Sequence, residues 1–250
     1  MQHLDANCQQ QDVLIGFRNL FGDHTGANQS RIIANIINEY NLRPKFSCYV
    51  ADNATNNDSE TLNNLGDLID MDLTEEHRIR CAAHIIQIIV KAVIYGRGLS
   101  KFELSLSQAA PQEQFEMFRQ QGVVGRLHNF VNAVLASHKR REAFMTIQKD
   151  LNDDDPLWAF STLNLVQNGG VRWHSVYRML LRCLELKDSI NLFIRKRGGS
   201  TVDSYLPGSS ALSEPISEDE WDEAQHLADF LREFYEMTKR IEGGGAQGSL

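Results

Sequence analysis

One carboxylate in this sequence stands where a strand would deliver it to the edge of a sheet. Residues 46–51 are apolar and aromatic enough to favour a β-strand, and Asp52 follows them directly. Asn53 and further polar side chains come next, up to Asp58. Such a carboxylate can bind a divalent metal ion, because two-metal phosphoryl transfer uses several converging acids. The alternative is an Asx turn, in which Asp52 accepts a backbone hydrogen bond and begins the next helix.

A thiol and an imidazole are spaced three residues apart, at Cys81 and His84. Residues at this spacing share one face of a helix, so the pair can form half of a zinc site, with His77 as the nearby candidate for a third ligand. The alternative is a packed thiol beside a hydrogen-bonded core histidine. No second pair of ligands is evident in the sequence.

An arginine and a tryptophan, Arg172 and Trp173, follow the glycine pair at residues 169–170 and open a predicted helix. The indole ring can stack on a nucleobase while the guanidinium binds a phosphate. Equally, the ring can pack in a helical core while the arginine pairs with a carboxylate. The sequence leaves both interpretations open.

Charge is distributed unevenly along the chain. The net charge of −8 argues against a dedicated nucleic-acid-binding protein, but residues 121–200 contain 12 basic and 7 acidic side chains. A phosphate-binding surface is therefore expected in this middle segment. Two basic runs there, Lys139-Arg140-Arg141 and residues 195–197, predict DNA contacts. The alternative is ordinary solvated helix surface.

The secondary structure predicted around these residues changes along the chain, from mixed strands and helices to helices alone. Residues 11–20 and 46–51 predict strands on either side of an amphipathic helix over 27–40, which is a βαβ arrangement with parallel strands. Ligands of such sheets bind at the carboxyl ends of the strands. Residues 79–95 predict a buried helix, whose opening can alternatively be a short strand.

Beyond residue 96 the strand signal disappears and helical patterns follow. Ser217 and Glu220 have the spacing of a capping box, so they predict the start of the last helix. The predicted organisation is an α/β domain over residues 1–95, a linker over 96–112, a helical domain over 113–242 and a disordered tail over 243–250.

Composition excludes several classes of protein. No window approaches the roughly 18 unbroken apolar residues of a membrane helix, so no membrane association is expected. The N-terminal residues lack a secretion-signal pattern, which predicts an intracellular protein. The four cysteines are scattered singly, which excludes zinc ribbons and C-x-x-C redox sites.

Five short motifs occur in an order that resembles the transposase core of the hAT superfamily of cut-and-paste DNA elements, particularly the copies in fungal genomes. They are His24-Thr-Gly26, Val50-Ala-Asp-Asn-Ala-Thr-Asn-Asn57, Arg80-Cys-Ala-Ala-His84, Val171-Arg-Trp-His-Ser175 and Ser217-Glu-Asp-Glu-Trp221. The resemblance runs from about residue 3 to residue 241.

This resemblance implies a ribonuclease H-like α/β fold, incomplete here, followed by a helical insertion domain. In the intact family three acids bind two divalent ions, normally Mg²⁺, and Asp52 corresponds to the second acid. Cys81 and His84 match a C-x-x-H motif near the active site, with Asn53 beside the acid. Arg172 and Trp173 match an R-W motif whose aromatic residue helps to handle a flipped base.

The resemblance places the other two acids outside these 250 residues. We therefore expect a transposase-derived, DNA-associated nuclear protein that does not cleave DNA alone and binds Mg²⁺ weakly or not at all. Its expected partners are DNA at transposon ends, a second copy of the chain or a full-length transposase. The alternatives are a transposase subunit completed by another chain, and a protein-interaction module without DNA binding.

Overall fold

The computed structural model describes residues 2–4, 6–7, 10–23, 25–51, 59–96, 99–151, 162–169, 173–197 and 215–241. The chain divides into two compact units, residues 1–85 and 86–250. The predicted Asp52, Asn53 and Arg172, and the predicted tail, lie outside the described residues. No helix within the described ranges is long and apolar enough to span a lipid bilayer.

The first unit is built around two helices, α1 (Gly26–Glu39) and α2 (Ser59–Ile69). The Thr25 hydroxyl caps α1 by accepting a hydrogen bond from the backbone N–H of Asn28 at 3.3 Å. Ser30 is buried, and its hydroxyl donates to the Thr61 carbonyl of α2 at 2.9 Å. Between the helices lies a small apolar core formed by Ala34, Ile37, Leu62, Leu65, Ile69 and Leu73.

The strands of this unit pair differently from the sequence prediction. β1 (Gln2–Leu4) and β2 (Gln10–Asp12) form an antiparallel pair, whereas β3 (Tyr49–Ala51) pairs in parallel with β4 (Arg78–Arg80). The parallel connection therefore runs from β3 through α2 to β4. For residues 79–95 the alternative prediction is confirmed: a short strand, β4, comes before the helix that begins at Ala82.

The predicted strand over residues 11–20 is wrong for most of its length. Only its first residues belong to β2, and the segment then lies over α1. Gly16 approaches this helix so closely that a Cβ atom there would lie 2.8 Å from Cδ1 of Ile36. Leu14 and Phe17 remain 81% and 88% exposed. Packing against α1 therefore replaces the predicted parallel pairing with residues 46–51.

The second unit is helical. Its helices are α3 (Ala82–Tyr95, which begins in the first unit), α4 (Leu99–Gln108), α5 (Pro111–Arg119), α6 (Gly122–Leu135), α7 (His138–Leu151), α8 (Trp173–Glu185), α9 (Lys187–Arg197) and α10 (Glu218–Ile241). The segment predicted as a linker thus contains α4, which an ion pair of 2.5 Å between Lys91 and Glu103 joins to α3. The predicted domain division stays a prediction.

Helix α6 lies at the centre of this unit and contacts α5, α7, α8 and α10. Gly125 allows the close approach of α5, since a Cβ atom at this position would lie 1.7 Å from the Phe118 carbonyl oxygen. His128 stacks on the Phe118 ring with a centroid separation of 3.7 Å. Burial lowers the pKa of His128 to about 4, so its ring packs in the neutral form.

The capping box at the start of α10 is confirmed. The Ser217 hydroxyl accepts from the Glu220 backbone N–H at 3.3 Å, and the Glu220 carboxylate accepts from the Ser217 N–H at 2.9 Å. The structure agrees with an α/β part that precedes a helical domain, but the sheet with β3 and β4 has only two strands among the described residues. A ribonuclease H-like core therefore remains a prediction.

Candidate functional site

The edge of the parallel sheet brings together two of the predicted motifs. The Cys81 backbone N–H donates to the Ala51 carbonyl at 2.9 Å, which extends the pairing of β3 and β4 by one step. The Cys81 carbonyl then accepts from Ile85 at 3.1 Å, so Cys81 also stands at the start of α3. The C-x-x-H motif therefore begins beside the residue that precedes Asp52.

The side chains of Cys81 and His84 are both partly buried, and the thiol of Cys81 is free. The described residues contain no group of three or more His, Cys, Asp or Glu side chains able to hold a metal ion. Thiolate and imidazole also do not suit Mg²⁺, which prefers oxygen ligands. The described residues at this edge therefore do not fit a magnesium site.

Trp173 opens α8 and is only 1% exposed. Its ring stacks on His174 with a centroid separation of 4.1 Å and meets Tyr235 of α10 edge-on at 6.5 Å. The buried indole N–H has no hydrogen-bond partner among the described residues. This position corresponds to the core-packing alternative, while the proposed base contact stays untested.

A hydrogen-bond network that the sequence did not predict joins Ser175 of α8 to Asn168 and to Tyr95 of α3. Ser175 donates to the Asn168 side-chain carbonyl at 2.8 Å, and the Asn168 amide donates to the Tyr95 hydroxyl at 3.4 Å. Burial raises the pKa of Tyr95, so its hydroxyl stays protonated. The sequence gives no signal for this role of Asn168, because an isolated asparagine beside glycine is typical of a turn.

The basic run at the start of α7 is split between interior and surface. Lys139 and Arg141 are exposed, but Arg140 is 1% exposed and donates to the Ala133 carbonyl near the end of α6 at 2.9 Å. Arg140 therefore ties α7 to α6 and does not face a ligand in this arrangement. Interpretation of the run as a DNA contact now depends on its two outer residues.

Helices α7 and α9 pack together, and their last turns carry more basic side chains at the other end of α7 from Lys139 and Arg141. Asp150 and Lys196 form an ion pair of 3.8 Å, which brings the last turns of both helices side by side. Lys149 and Arg195 are exposed close by in sequence. We call Lys139, Arg141, Lys149, Arg195 and Lys196 the basic residues of the α7–α9 pair. Lys149 was missed because it is a single lysine outside any run.

Comparison with known protein families identifies this helical architecture. The model of the ZBED1 RNase-like helical domain matches residues 79–230, which is more than half of the chain. The chain belongs to this family. The ZBED1-type domain thus includes the C-x-x-H motif, Trp173 and the α7–α9 pair.

Two relatives extend the similarity beyond the ZBED1-type domain. A protein of Talaromyces stipitatus named as the transcriptional regulator tpeD is 25% identical over 249 residues, which are 95% of this chain and 26% of that protein. A Zea mays protein named as an AC transposase is 22% identical over 245 residues, 96% of this chain and 26% of that protein. The chain spans about a quarter of the length of these relatives. No solved structure matches it.

These similarities confirm the resemblance at its coarser level: the chain is related to hAT-type transposases. The assignment of individual catalytic and DNA-binding residues stays a prediction.

Proposed function

We propose that this chain is a transposase-derived, DNA-associated nuclear protein that contacts DNA phosphates through the α7–α9 pair. The charge of these two helices carries the proposal. Residues 138–151 and 187–197 contain seven basic side chains besides the buried Arg140, and three acidic ones, in a chain with a net charge of −8. Clustered lysine and arginine side chains bind DNA phosphates and release counterions. The names of the two relatives, a transcriptional regulator and a transposase, support both DNA association and a nuclear location.

The proposal predicts DNA affinity that weakens steeply with salt. In a fluorescence anisotropy titration of a labelled duplex, Lys139→Ala/Arg141→Ala and Lys149→Ala/Arg195→Ala should each weaken binding. Each should also reduce the slope of log K against log salt by about one for every phosphate contact removed. All four side chains are exposed, so the fold should be retained.

The matched control is Lys45→Ala/Lys101→Ala, which removes two exposed lysines elsewhere in the chain. It should leave the salt slope unchanged. An equal loss in the control would show that only overall charge matters. Absence of any salt-dependent binding would favour the alternative of a protein-interaction module.

We further propose that these 250 residues do not cleave DNA by themselves. Asp52 is the single residue here that matches the family's three acids, and one carboxylate competes poorly with water for Mg²⁺. Incubation of supercoiled DNA with the chain and Mg²⁺ or Mn²⁺ should yield no nicked product.

Nicking that requires the metal and disappears in Asp52→Asn would contradict this proposal. Excision that appears only after mixing with a full-length relative would support the alternative of a subunit completed in trans. The sheet edge supports the hypothesis of a subunit completed in trans, because the Cys81 backbone N–H pairs with Ala51, the residue directly before Asp52.

A further inference from the structure

Helix α6 meets α5 through small and polar residues, unlike the rest of its buried surface. Gly125, His128 and Asn129 have the spacing of one helix face, and they contact α5 at Phe115 and Phe118. The Asn129 amide donates to the Phe115 carbonyl at 2.9 Å. All other buried residues of α6 are apolar and join the main core of the unit. We call Gly125, His128 and Asn129 the α5–α6 seam.

The α5 side of this seam lies outside the main core. Phe115 and Phe118 are 9% and 5% exposed, but neither belongs to the main cluster of buried apolar side chains in the helical unit. Regions with few core contacts open at a lower free energy than the core itself. Helix α5 can therefore separate from α6 while the core around Leu127 and Phe130 stays packed.

Two amide side chains fix the proton of the neutral His128 ring. The Gln167 amide donates to the side-chain oxygen of Asn132 at 3.0 Å, so the Asn132 amide nitrogen faces Nε2 of His128, at 2.8 Å. Nε2 must then accept this hydrogen bond, and the ring carries its single proton on Nδ1. That Nδ1 is buried and has no hydrogen-bond partner among the described residues.

A second proton on His128 is incompatible with this arrangement. It adds an N–H at Nε2, which then faces the Asn132 amide nitrogen, another donor. It also places a charge on a residue that is only 8% exposed. A cation stacked on the Phe118 ring gains some attraction. Burial prevails, however, and lowers the pKa of His128 to about 4.

The surrounding elements offer His128 no charged partner within the described part of the chain, where the only polar contact of its ring is Asn132. Residues 162–169 contain no ionisable side chain. The charged side chains of the helices around the seam are exposed or pair with other residues; they are Lys101 and Glu103 of α4, Glu113, Glu116 and Arg119 of α5, and Arg126 of α6. No carboxylate therefore compensates for a proton on His128.

We propose that the α5–α6 seam is an acid-sensitive latch, in which protonation of His128 releases α5 from α6 while the main core stays folded. Histidine ordinarily titrates near pH 6.5, and a group whose pKa is lowered by folding stabilises the closed form above that pH. The latch should therefore hold at neutral pH, weaken as the pH falls below 6.5, and weaken no further below about pH 4.

Hydrogen exchange of the full chain, followed by mass spectrometry, tests the proposal. Protection factors are measured against the intrinsic exchange rate at each pH, so they report the opening of the structure. Peptides from α5 should lose about twentyfold in protection between pH 7 and pH 5, which is the change for one proton with a pKa of 6.5 in the open form and about 4 in the closed form. Peptides from α8 and α9, whose buried side chains lie in the main core, should change far less.

Two variants without a titratable ring separate the latch from general acid sensitivity. His128→Phe keeps an aromatic stack on Phe118, and His128→Gln keeps an acceptor for the Asn132 amide; in both, the loss of α5 protection at pH 5 should disappear. His138→Gln, which removes an exposed histidine of α7, is the matched control and should behave like the wild type.

Three results would overturn the proposal. The first is α5 protection in the wild type that does not change between pH 7 and pH 5. The second is an equal loss of protection in α5 and in α8 and α9, which would mean global unfolding. The third is a loss in α5 that persists in both His128 variants.

Discussion

Replacing Trp173 by alanine is expected to lower the free energy of unfolding by about 3–5 kcal/mol. The side chain is 1% exposed and packs against His174 and Tyr235, which joins the start of α8 to α10. Removing the indole would leave a cavity that two helices cannot close without moving. Denaturant unfolding followed by circular dichroism measures the change. Leu181→Ala, at a 44% exposed residue of the same helix, is the control and should cost much less.

Trp173→Phe separates the two roles that the sequence left open. Phenylalanine keeps an aromatic ring in the core and removes an indole N–H that has no partner among the described residues, so the loss of stability should be smaller than for alanine. If Trp173 acts only in the core, the DNA affinity of this variant should equal that of the wild type. Loss of DNA affinity with stability retained would instead support the base-stacking role.

Replacing Glu220 by glutamine is expected to lower the free energy of unfolding at pH 7 by about 1–3 kcal/mol. The Glu220 carboxylate accepts from Arg126 and also closes the capping box with Ser217. Both charged side chains are 24% exposed, so solvent screens this pair only partly. Arg126 also donates to the Pro215 carbonyl at 3.1 Å, so the cluster fixes the entry of the chain into α10.

The cost of Glu220→Gln should depend on pH in a defined direction. Burial acts to raise the pKa of Glu220, but the hydrogen bonds from Ser217 and Arg126 outweigh it and leave the pKa below the usual 4.5. A carboxyl group whose pKa is lowered on folding stabilises the protein above its unfolded pKa. The difference between wild type and variant should therefore be constant above about pH 5 and shrink as the pH falls through the lowered pKa.

Glu233→Gln is the matched control for this measurement. Glu233 is exposed on the same helix and makes no ion pair within the described residues. Its replacement should change stability by less than about 0.5 kcal/mol at every pH, as is usual for surface substitutions. A difference for Glu220→Gln that stays constant down to pH 3, or that the control reproduces, would contradict the role assigned to the ionised carboxylate.

Local signals predicted helix α1 and the start of α10 well, although they missed α4, which lies in the segment predicted as a linker. Residues 27–40 were predicted as a helix and α1 spans Gly26–Glu39, while Ser217 begins α10 through the predicted capping box. These features depend on side chains within a few residues of one another, which the sequence displays directly. The order of motifs likewise identified the relationship to hAT transposases without any knowledge of the fold.

Pairing between distant segments could not be predicted in this way. Residues 11–20 have the composition of a strand, but Gly16 packs on Ile36 and the partner of β3 is β4. Both candidate strands satisfy the same local preferences, so only the competition between their tertiary contacts selects one. Because β3 pairs with β4, the backbone of Cys81 lies next to that of Ala51.

The sequence by itself determined the helical character of the second unit, the cap of α10 and the kinship of the chain, because periodicity, capping and motif order are local properties. The tertiary structure alone decided that Arg140 and Trp173 lie inside, whereas Lys139, Phe230 and Met237 face outward. The chemical type of a residue determines what it can bind. Whether it meets solvent depends on which helices pack around it, and that is set by contacts between residues far apart in the chain.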